Sequence, residues 1–143
     1  MAEALPEKLK LEIVTPDRLL FSGEVDEVTV PGADGYLGIL PGHAPLLSEL
    51  RIGVISFRQG EQHFRFFCTW GFLEVLPDQV SVLTEGAQAP DQIDSQQARA
   101  DKEQAEETLR SRDPKTDFAA AADLLQSAQT RLGLLEDKRP NPV

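Results

Sequence analysis

The chain has 143 residues, which is enough for one compact domain, or for a domain of about 90 residues with an appendage. Lys and Arg number 14 against 24 Asp and Glu, and the basic residues form no run that could follow a phosphate backbone, so a nucleic acid partner is not expected. The single cysteine, Cys68, excludes an intramolecular disulfide, and no stretch approaches the roughly 18 apolar residues needed to span a bilayer.

The chain up to about Gly86 consists of short apolar runs broken by Gly, Pro and Asp, a spacing typical of an all-β sandwich or barrel. Leu9, Leu11 and Ile13 alternate with charged residues, which predicts a strand with one face in a core. Two hairpins follow, one turning at Gly60 and one at Pro77-Asp78. In the first hairpin Phe64, Phe66 and Cys68 should share one face.

After Pro90 the composition changes to Ala, Gln, Glu, Lys and Leu, which are strong helix formers. We therefore predict a β-sandwich domain over residues 1–88 and an antiparallel two-helix hairpin over residues 89–143. The first helix should follow Asp94 and run to about Leu109, with Asp94 and Gln97 forming a capping box. It offers mainly the small Ala98 and Ala105 for packing, so the hairpin should be weakly held.

The second helix should begin after Thr116 or Asp117. One apolar stripe at steps of three and four is expected to run along it, comprising Phe118, Ala121, Leu125, Ala128, Leu132 and Leu135.

The segment from Val30 to Leu47, VPGADGYLGILPGHAPLL, resembles the signature loop of ATP synthase epsilon subunits. Leu20-Phe21-Ser22-Gly23, Gly71-Phe72-Leu73-Glu74-Val75 and the C-terminal helical pair occur in the same order as in that family, so the resemblance covers nearly the whole chain. It implies an all-β sandwich followed by a helical hairpin, and a non-catalytic rotor protein of the bacterial F-type enzyme.

The resemblance also implies partners and a location. The sandwich would bind the gamma subunit and the membrane-embedded c-ring in the central stalk, and the hairpin, when extended, would reach the alpha and beta subunits. The expected location is the cytoplasmic face of the bacterial plasma membrane, as a peripheral protein. The N-terminal MAEALPEKLK, which lacks a signal core or an Arg-rich transit pattern, agrees with that location.

By resemblance, the rotor-docking residues lie in the signature segment, and they are Asp34, Gly35, Tyr36, Pro41, Gly42 and His43. Asp34 could complement a basic residue in the polar loop of a c subunit, or it could only cap a turn. His43 has the same two readings, as a docking residue or as a structural loop residue. The glycines predict tight turns rather than a phosphate cradle, because no Lys-Ser or Lys-Thr follows them.

Some bacterial members of the family bind ATP through a motif of Ile or Leu, Asp, two residues, Arg and Ala. Here Ile93, Asp94 and Ala98 match it, but Gln97 stands in place of the arginine. Arg99 lies two residues on, and two steps turn a helix by about 200°, so Arg99 should face elsewhere. We therefore expect no ATP cofactor, and the capping box accounts for Asp94 and Gln97 without a ligand.

In relatives that inhibit ATP hydrolysis, basic residues of the second helix meet the beta subunit. From Asp117 to Leu135 the only cation in this chain is Arg131, so we expect weak inhibition. The other function classes are a nucleotide-binding regulator and an independent β-sandwich enzyme or binder. His43, His63 and Cys68 lack the spacing of a zinc site, and no nucleophile stands in a recognisable catalytic pattern, so neither a metal nor catalytic residues are predicted.

Overall fold

The structure is a computed structural model that describes residues 4–137 and 139–142. Ten strands precede a short 3-10 helix, Pro90–Gln92, and two α-helices. The strands are β1 (Leu9–Val14), β2 (Leu19–Val25), β3 (Glu27–Gly32), β4 (Gly35–Ile39), β5 (Leu46–Leu50), β6 (Gly53–Gln59), β7 (Gln62–Cys68), β8 (Gly71–Leu76), β9 (Gln79–Thr84) and β10 (Ala87–Gln88). The helices are α1 (Ser95–Leu109) and α2 (Phe118–Glu136). The predicted order, an all-β sandwich and then a two-helix hairpin, is confirmed.

The strands form one sheet in the order β10-β7-β6-β3-β5-β8-β9-β1-β2, with β4 paired to β3. A single bridge, Gly32 with Leu50, joins β3 to β5 and divides the sheet into two halves. The halves face each other, and the rings of Phe21 on β2 and Phe57 on β6 lie 4.4 Å apart between centroids. These contacts make the folded sheet a sandwich.

Inward-facing residues of both halves form the main core. Leu9, Leu11 and Ile13 are fully buried, as their alternation predicts. Strand β1 pairs in parallel with β9, which places Leu11 beside the buried Val80. Because each strand contributes every second side chain to this core, the opposite face of each half is left to solvent, to the helices or to a partner.

Both predicted hairpins are present. The β6–β7 turn contains Gly60 in the left-handed region, with φ of 61°, and the β8–β9 turn holds Pro77-Asp78 between the two strands. Phe66 and Cys68 are buried in the core, and Phe64 packs against it, as predicted. The neighbouring Phe67 is also buried, on the other side of β7, which the sequence analysis did not anticipate.

The signature segment is not one loop, which corrects the sequence analysis. Its middle forms β4, which pairs with β3 from Val28 opposite Ile39 to Gly32 opposite Gly35. Gly35 and Gly42 do adopt positive φ, at 129° and 88°, and they mark the turns at the two ends of this strand. Leu37 and Ile39 lie on one face of β4 and the exposed Tyr36 and Gly38 on the other, a strand pattern that the density of Gly and Pro concealed.

Helix α1 begins where predicted, but the capping box is only half formed. The Asp94 carboxylate accepts hydrogen bonds from the backbone N–H groups of Gln96 and Gln97, at 3.0 and 3.1 Å. The Gln97 side chain does not return to the cap, since its amide donates to Asp101 one turn further along, at 2.8 Å. The bond to the Asp101 carboxylate turns the Gln97 side chain towards the next helical turn and away from the backbone N–H of Asp94.

The stripe predicted on α2 is partly wrong. Ala121 and Ala128 are buried, and so is Leu134, which was not assigned to the stripe, whereas Phe118 is 42% exposed. The reason is that α2 contacts both α1 and the sandwich, so its buried arc is wider than one stripe. Phe118 lies at the far tip of the hairpin, where the sandwich does not reach.

Candidate docking surfaces

An apolar row crosses the outer face of β8, β9, β1 and β2. The strand register places Phe72 opposite Leu83, Leu83 opposite Val14, and Val14 opposite Leu19. Phe72, Leu83 and Leu19 are 57%, 53% and 57% exposed. Inward-facing neighbours such as Leu73 and Val82 supply the core, so this row is additional to what the fold requires.

Two further apolar side chains extend the row. Trp70 is 55% exposed, and its ring meets the edge of Phe72 with centroids 6.1 Å apart. Leu47 on β5 is 77% exposed and, with Phe72 and Leu83, lines an open groove of about 700 Å³. Contiguous exposed apolar surface of this kind is typical of an interaction site. We call these residues, Val14, Leu19, Leu47, Trp70, Phe72 and Leu83, the apolar row.

Carboxylates border the apolar row. Glu74 on β8 and Glu12 on β1 both lie opposite Ser81 of β9, and Glu49 on β5 lies opposite Phe72. All three carboxylates line the same groove as Leu47 and Phe72. The surface is therefore apolar with a negative border, and sequence analysis missed it because its strand pattern assumed polar outer faces. The sequence does indicate it at Leu46-Leu47 and Val82-Leu83, because two consecutive apolar residues in a strand place one side chain on each face of the sheet.

The first group of predicted docking residues lies at the β3–β4 turn. Asp34, Gly35 and Tyr36 are all exposed. The Tyr36 hydroxyl accepts a hydrogen bond from the backbone N–H of Val54 at 3.0 Å, which fixes the ring against the start of β6. Tyr36 therefore has a structural role in addition to its exposed surface.

The second group, Pro41, Gly42 and His43, lies at the other end of β4. The Gly42 N–H donates to the carbonyl of Pro77 at 2.7 Å, which ties this turn to the β8–β9 turn. His43 Nδ1 lies 2.7 Å from the carbonyl oxygen of Ala44. The five residues of β4 separate the two groups by about 13 Å at ~3.3 Å per residue, so the predicted docking residues occupy two places on the surface.

Residues 8–90 match the family model of the ATP synthase Delta/Epsilon chain beta-sandwich domain. The chain belongs to this family. An ATP synthase epsilon chain of Desulforamulus reducens is 42% identical over 127 residues, covering 89% of this chain and 96% of the relative. The epsilon chain of Moorella thermoacetica is 44% identical over 125 residues, covering 87% and 93%. The identification made from the signature segment is confirmed.

Solved structures agree in fold. A chain in the cryo-EM structure of the Euglena gracilis mitochondrial ATP synthase, OSCP/F1/c-ring, superposes with a TM-score of 0.83 at 20% identity, covering 93% of this chain and 84% of that one. A chain in the Tetrahymena thermophila mitochondrial ATP synthase central stalk and c-ring gives 0.63 at 15% identity, covering 92% and 99%. The epsilon chains of this family are non-catalytic subunits of the rotary enzyme, which confirms that part of the expectation.

The residues of the degenerate ATP motif have structural roles in this epsilon-family chain. Ile93 is 8% exposed and packs with Phe67 and Leu134 in a small second core. Asp94 caps α1, and Ala98 is buried in the hairpin. Gln97 is bonded to Asp101. Arg99, in contrast, is exposed and lines an open groove between the helices.

Arg131 connects the hairpin to the sandwich. Its guanidinium forms an ion pair with Asp101 of α1 at 2.9 Å and lies 5.6 Å from the centroid of the Phe67 ring on β7. The hydrogen bond from Arg131 lowers the pKa of the Asp101 carboxyl, and Gln97 adds a second donor. The single cation of α2 is therefore already paired in this arrangement.

Within residues 4–137 and 139–142, no three His, Cys, Asp or Glu side chains are grouped in a way that could hold a metal ion. No helix in the same described part of the chain is long and apolar enough to cross a membrane. Residues 1–3 and 143, at the ends of the two predicted units, and residue 138, within the second unit, lie outside the described residues.

Proposed function

We propose that this chain is a rotor subunit of the central stalk, which couples the gamma subunit to the c-ring of an F-type ATP synthase during ion-driven ATP synthesis. Its contribution is binding and stiffness rather than bond-making. The observation that carries the proposal is the apolar row on the outer face of the sandwich. The family of the chain and its similarity to ATP synthase epsilon chains support the same role.

The apolar row is the contact for the gamma subunit. Phe72, Leu83 and Leu19 expose more than half of their surface, and burying apolar area contributes about 25 cal/mol per Å². A row that crosses four strands can bury several large side chains at once against a helix or sheet of the partner. Torque then passes through a packed interface rather than through a single flexible contact.

The bordering carboxylates specify the charge of the partner. Glu12, Glu49 and Glu74 flank the apolar groove, so the complementary segment of gamma should present Lys or Arg beside its apolar side chains. Such pairs at the rim of an interface contribute mainly to orientation and association rate. The chain's overall charge of −10 acts in the same direction.

The two turns at the ends of β4 are the proposed c-ring contacts. Asp34 can accept from a basic residue of a c subunit, because its carboxylate is exposed at the tip of the β3–β4 turn. His43 is held by the second turn, which Gly42 and Pro77 tie to the sandwich. Contact with the c-ring would place the subunit on the cytoplasmic face of the bacterial plasma membrane as a peripheral protein, and the bacterial origin of the relatives supports this location.

Co-expression with the cognate gamma subunit tests the docking surface. The double variant Phe72→Ser and Leu83→Ser should lose gamma in co-purification while keeping its circular dichroism spectrum, because both side chains are exposed and outside the core. Phe118→Ser is the matched control, since it removes an exposed phenylalanine from the hairpin instead of the sandwich. Retention of gamma by the double variant would refute the assignment of the surface.

Inhibition of ATP hydrolysis by the hairpin is the second part of the proposal, and we expect it to be weak. Arg131 is paired with Asp101, so extension of the hairpin would first have to break that ion pair. Assembled enzyme should show nearly the same ATPase rate with the full chain as with a chain ending after Gln88, which retains β10. Complete suppression that disappears on truncation would contradict this part.

Nucleotide sensing is not part of the proposed function. The Gln97 amide and Asp94 carboxylate already have intramolecular partners, and neither supplies the positive charge that a triphosphate requires. Titration calorimetry with ATP and Mg²⁺ at millimolar concentration should therefore give no binding heat. A saturable heat signal would overturn this expectation.

A further inference from the structure

The hairpin meets the sandwich through a small apolar contact. Of the buried residues on α2, Ala121 and Ala128 are small, and Leu134 alone joins Phe67 and Ile93 in the second core. Leu135 of α2 and two residues before and on β6, Ile52 and Val54, pack against this cluster. Even so, it buries much less apolar area than the main core of the sandwich. Arg131 adds its contact with Phe67, and Gln126 donates to the carbonyl of Ile52 at 3.3 Å. A further polar contact holds the segment that follows α2.

Arg65 of β7 provides that contact for the residues after α2. Its guanidinium pairs with the Asp137 carboxylate at 2.6 Å and also donates to the carbonyl of Arg139. The Arg65 side chain is only 14% exposed, so this ion pair is better shielded from water than an ordinary surface pair. Arg139 in turn donates to Asp137 at 2.7 Å, which leaves the carboxylate between two guanidinium groups.

Asn141 completes the attachment by binding the main chain of Arg65. Its side-chain carbonyl accepts from the Arg65 N–H at 2.8 Å, and its amide donates to the Arg65 carbonyl at 2.9 Å. The neighbouring strand β10 pairs with β7 only at Phe67 and Cys68, so Arg65 lies on a stretch of edge that β10 does not cover. The amide of Asn141 thus substitutes for one residue of a pairing strand.

Two prolines favour an extended conformation of residues 139–142. Arg139 precedes Pro140 and Asn141 precedes Pro142, and a residue before proline is pushed away from the helical region towards extended conformations. The prolines also reduce the conformational freedom that is lost when the segment is ordered. Asp137 caps the C-terminus of α2, and residues 139–142 are suited to an extended path along an edge strand.

We propose that Asp137, Arg139 and Asn141 form a strap that fastens α2 to the sandwich at Arg65 and controls how often the hairpin separates from it. The strap acts on the hairpin and is independent of the proposed binding of gamma by the apolar row, which lies on β5, β8, β9, β1 and β2. Opening the strap removes the hydrogen bonds to Arg65 and leaves the second core, with Leu134 and Leu135 of α2, and the contact of Arg131 with Phe67 to hold the hairpin.

Thiol labelling of the isolated full chain tests the strap. Leu134→Cys places a thiol in the second core, where the native side chain is 4% exposed, so modification requires the hairpin to open. Adding Asn141→Ala should raise the labelling rate about fivefold, as expected for loss of roughly one net hydrogen-bond contribution. Gln104→Ala, which removes an exposed amide from α1, is the matched control and should leave the rate unchanged.

A double-mutant cycle identifies the anchor. In the Leu134→Cys background, Arg65→Gln and Asp137→Asn should each accelerate labelling, and the double variant should be little faster than the faster single variant. Circular dichroism of each variant establishes that both helices are still formed. Unchanged rates in Asn141→Ala and Asp137→Asn would overturn the strap, and independent, multiplicative effects in the cycle would overturn Arg65 as its anchor.

Discussion

At the scale of single residues, two arginines account for most of the polar attachment of the hairpin. Arg131 joins α2 to α1 through Asp101 and lies over Phe67, and Arg65 joins β7 to the segment after α2. Both are mostly shielded, with side chains 14% exposed. The one cation of α2, Arg131, is thus paired internally, which is the physical basis for expecting weak inhibition.

The single thiol should be inert in the folded protein. Burial raises the pKa of Cys68 to about 12, and its Sγ lies 3.6 Å from the carbonyl oxygen of Arg51. Because the thiolate is the reactive form, labelling by an aromatic disulfide reagent at pH 8 should be undetectable in the native chain and complete in guanidinium. Rapid labelling without denaturant would show that the Cys68 side of the core opens readily.

The strap should weaken in acid. Hydrogen bonding from Arg139, with Arg65 nearby, lowers the pKa of Asp137 from 3.8 to about 2. A depressed folded-state pKa stabilises the folded form above pH 3.8, and this contribution is lost as the pH falls through about 2.

Labelling of Leu134→Cys should therefore accelerate between about pH 4 and pH 2, after correction for the intrinsic pH dependence of the reagent. Asp101 has a lowered pKa as well and titrates in the same direction. The comparison that isolates the strap is with Asp137→Asn, which should be faster at pH 5 and show a smaller acceleration. Equal acid profiles for both proteins would contradict the role of Asp137.

At the scale of elements, β strands could be predicted where alternation was regular. Leu9, Leu11 and Ile13 fix β1 because each side chain of one phase is apolar. Strand β4 was missed because Gly35 and Gly38 mask a short alternating segment between two turns. The strap could not be predicted, since Asn141 and Arg65 are 76 residues apart and their contact exists only after the sandwich has formed.

The predicted docking residues could likewise be named from the sequence, but their positions on the surface could not. The signature segment pointed to Asp34, Tyr36 and His43, but only the pairing of β3 with β4 places them at two separate turns. The apolar row depends on the register between strands that are far apart in the sequence, such as β1 and β9. Phe72 and Leu83 become neighbours through the β8–β9 hairpin, and Leu19 joins them only through β1.

The β8–β9 hairpin depends on a close backbone approach at Gly71. A Cβ atom at this position would lie 1.9 Å from the carbonyl oxygen of Leu83 and 2.8 Å from the Cα of Thr84. Both neighbours are backbone atoms that cannot rotate away, so Gly71→Ala should lower the free energy of unfolding by about 3 kcal/mol. Urea unfolding measures this change.

Gly38→Ala is the matched control for Gly71→Ala. Gly38 also lies in a strand, but a Cβ there would meet no atom within 4 Å. Alanine should be neutral or raise the free energy of unfolding by less than about 1 kcal/mol. Similar losses in both variants would show that the effect is a general cost of replacing strand glycines rather than the contact with Leu83.

Helix α2 contains a correctable weakness at Gly133. No atom lies within 4 Å of a Cβ built at this exposed position, so alanine can be accommodated. Gly133→Ala should stabilise α2 by up to about 1 kcal/mol through helix propensity and slow the labelling of Leu134→Cys. The reverse change at an exposed alanine of the same helix, Ala122→Gly, should accelerate it, and no change in either variant would mean that helix stability does not limit opening.

At the scale of the whole molecule, the sandwich and the hairpin are stabilised by two apolar cores of very different size. The main core contains 16 buried residues from both halves of the sandwich, whereas the second core contains three. Conformational entropy must be offset in each unit by its own burial. The hairpin has alanine contacts, Leu134 and Leu135 in the second core, the contact of Arg131 with Phe67, and the strap. The hairpin should therefore open at a lower free energy than the sandwich.

Native-state hydrogen exchange measures these two free energies in one experiment. Amides of α2, such as that of Ala128, should exchange through an opening of lower free energy than the amides of Leu11 and Val80 in the central strands. Asn141→Ala should lower protection across α2 and leave the protection of β1 and β9 unchanged, because the hydrogen bonds between the strap and the sandwich are made with Arg65 of β7. Gly71→Ala should instead lower protection most in β8 and β9 and less in α2. A single opening free energy for all these amides, shifted equally by both variants, would mean that hairpin and sandwich unfold as one cooperative unit and that the strap does not act separately.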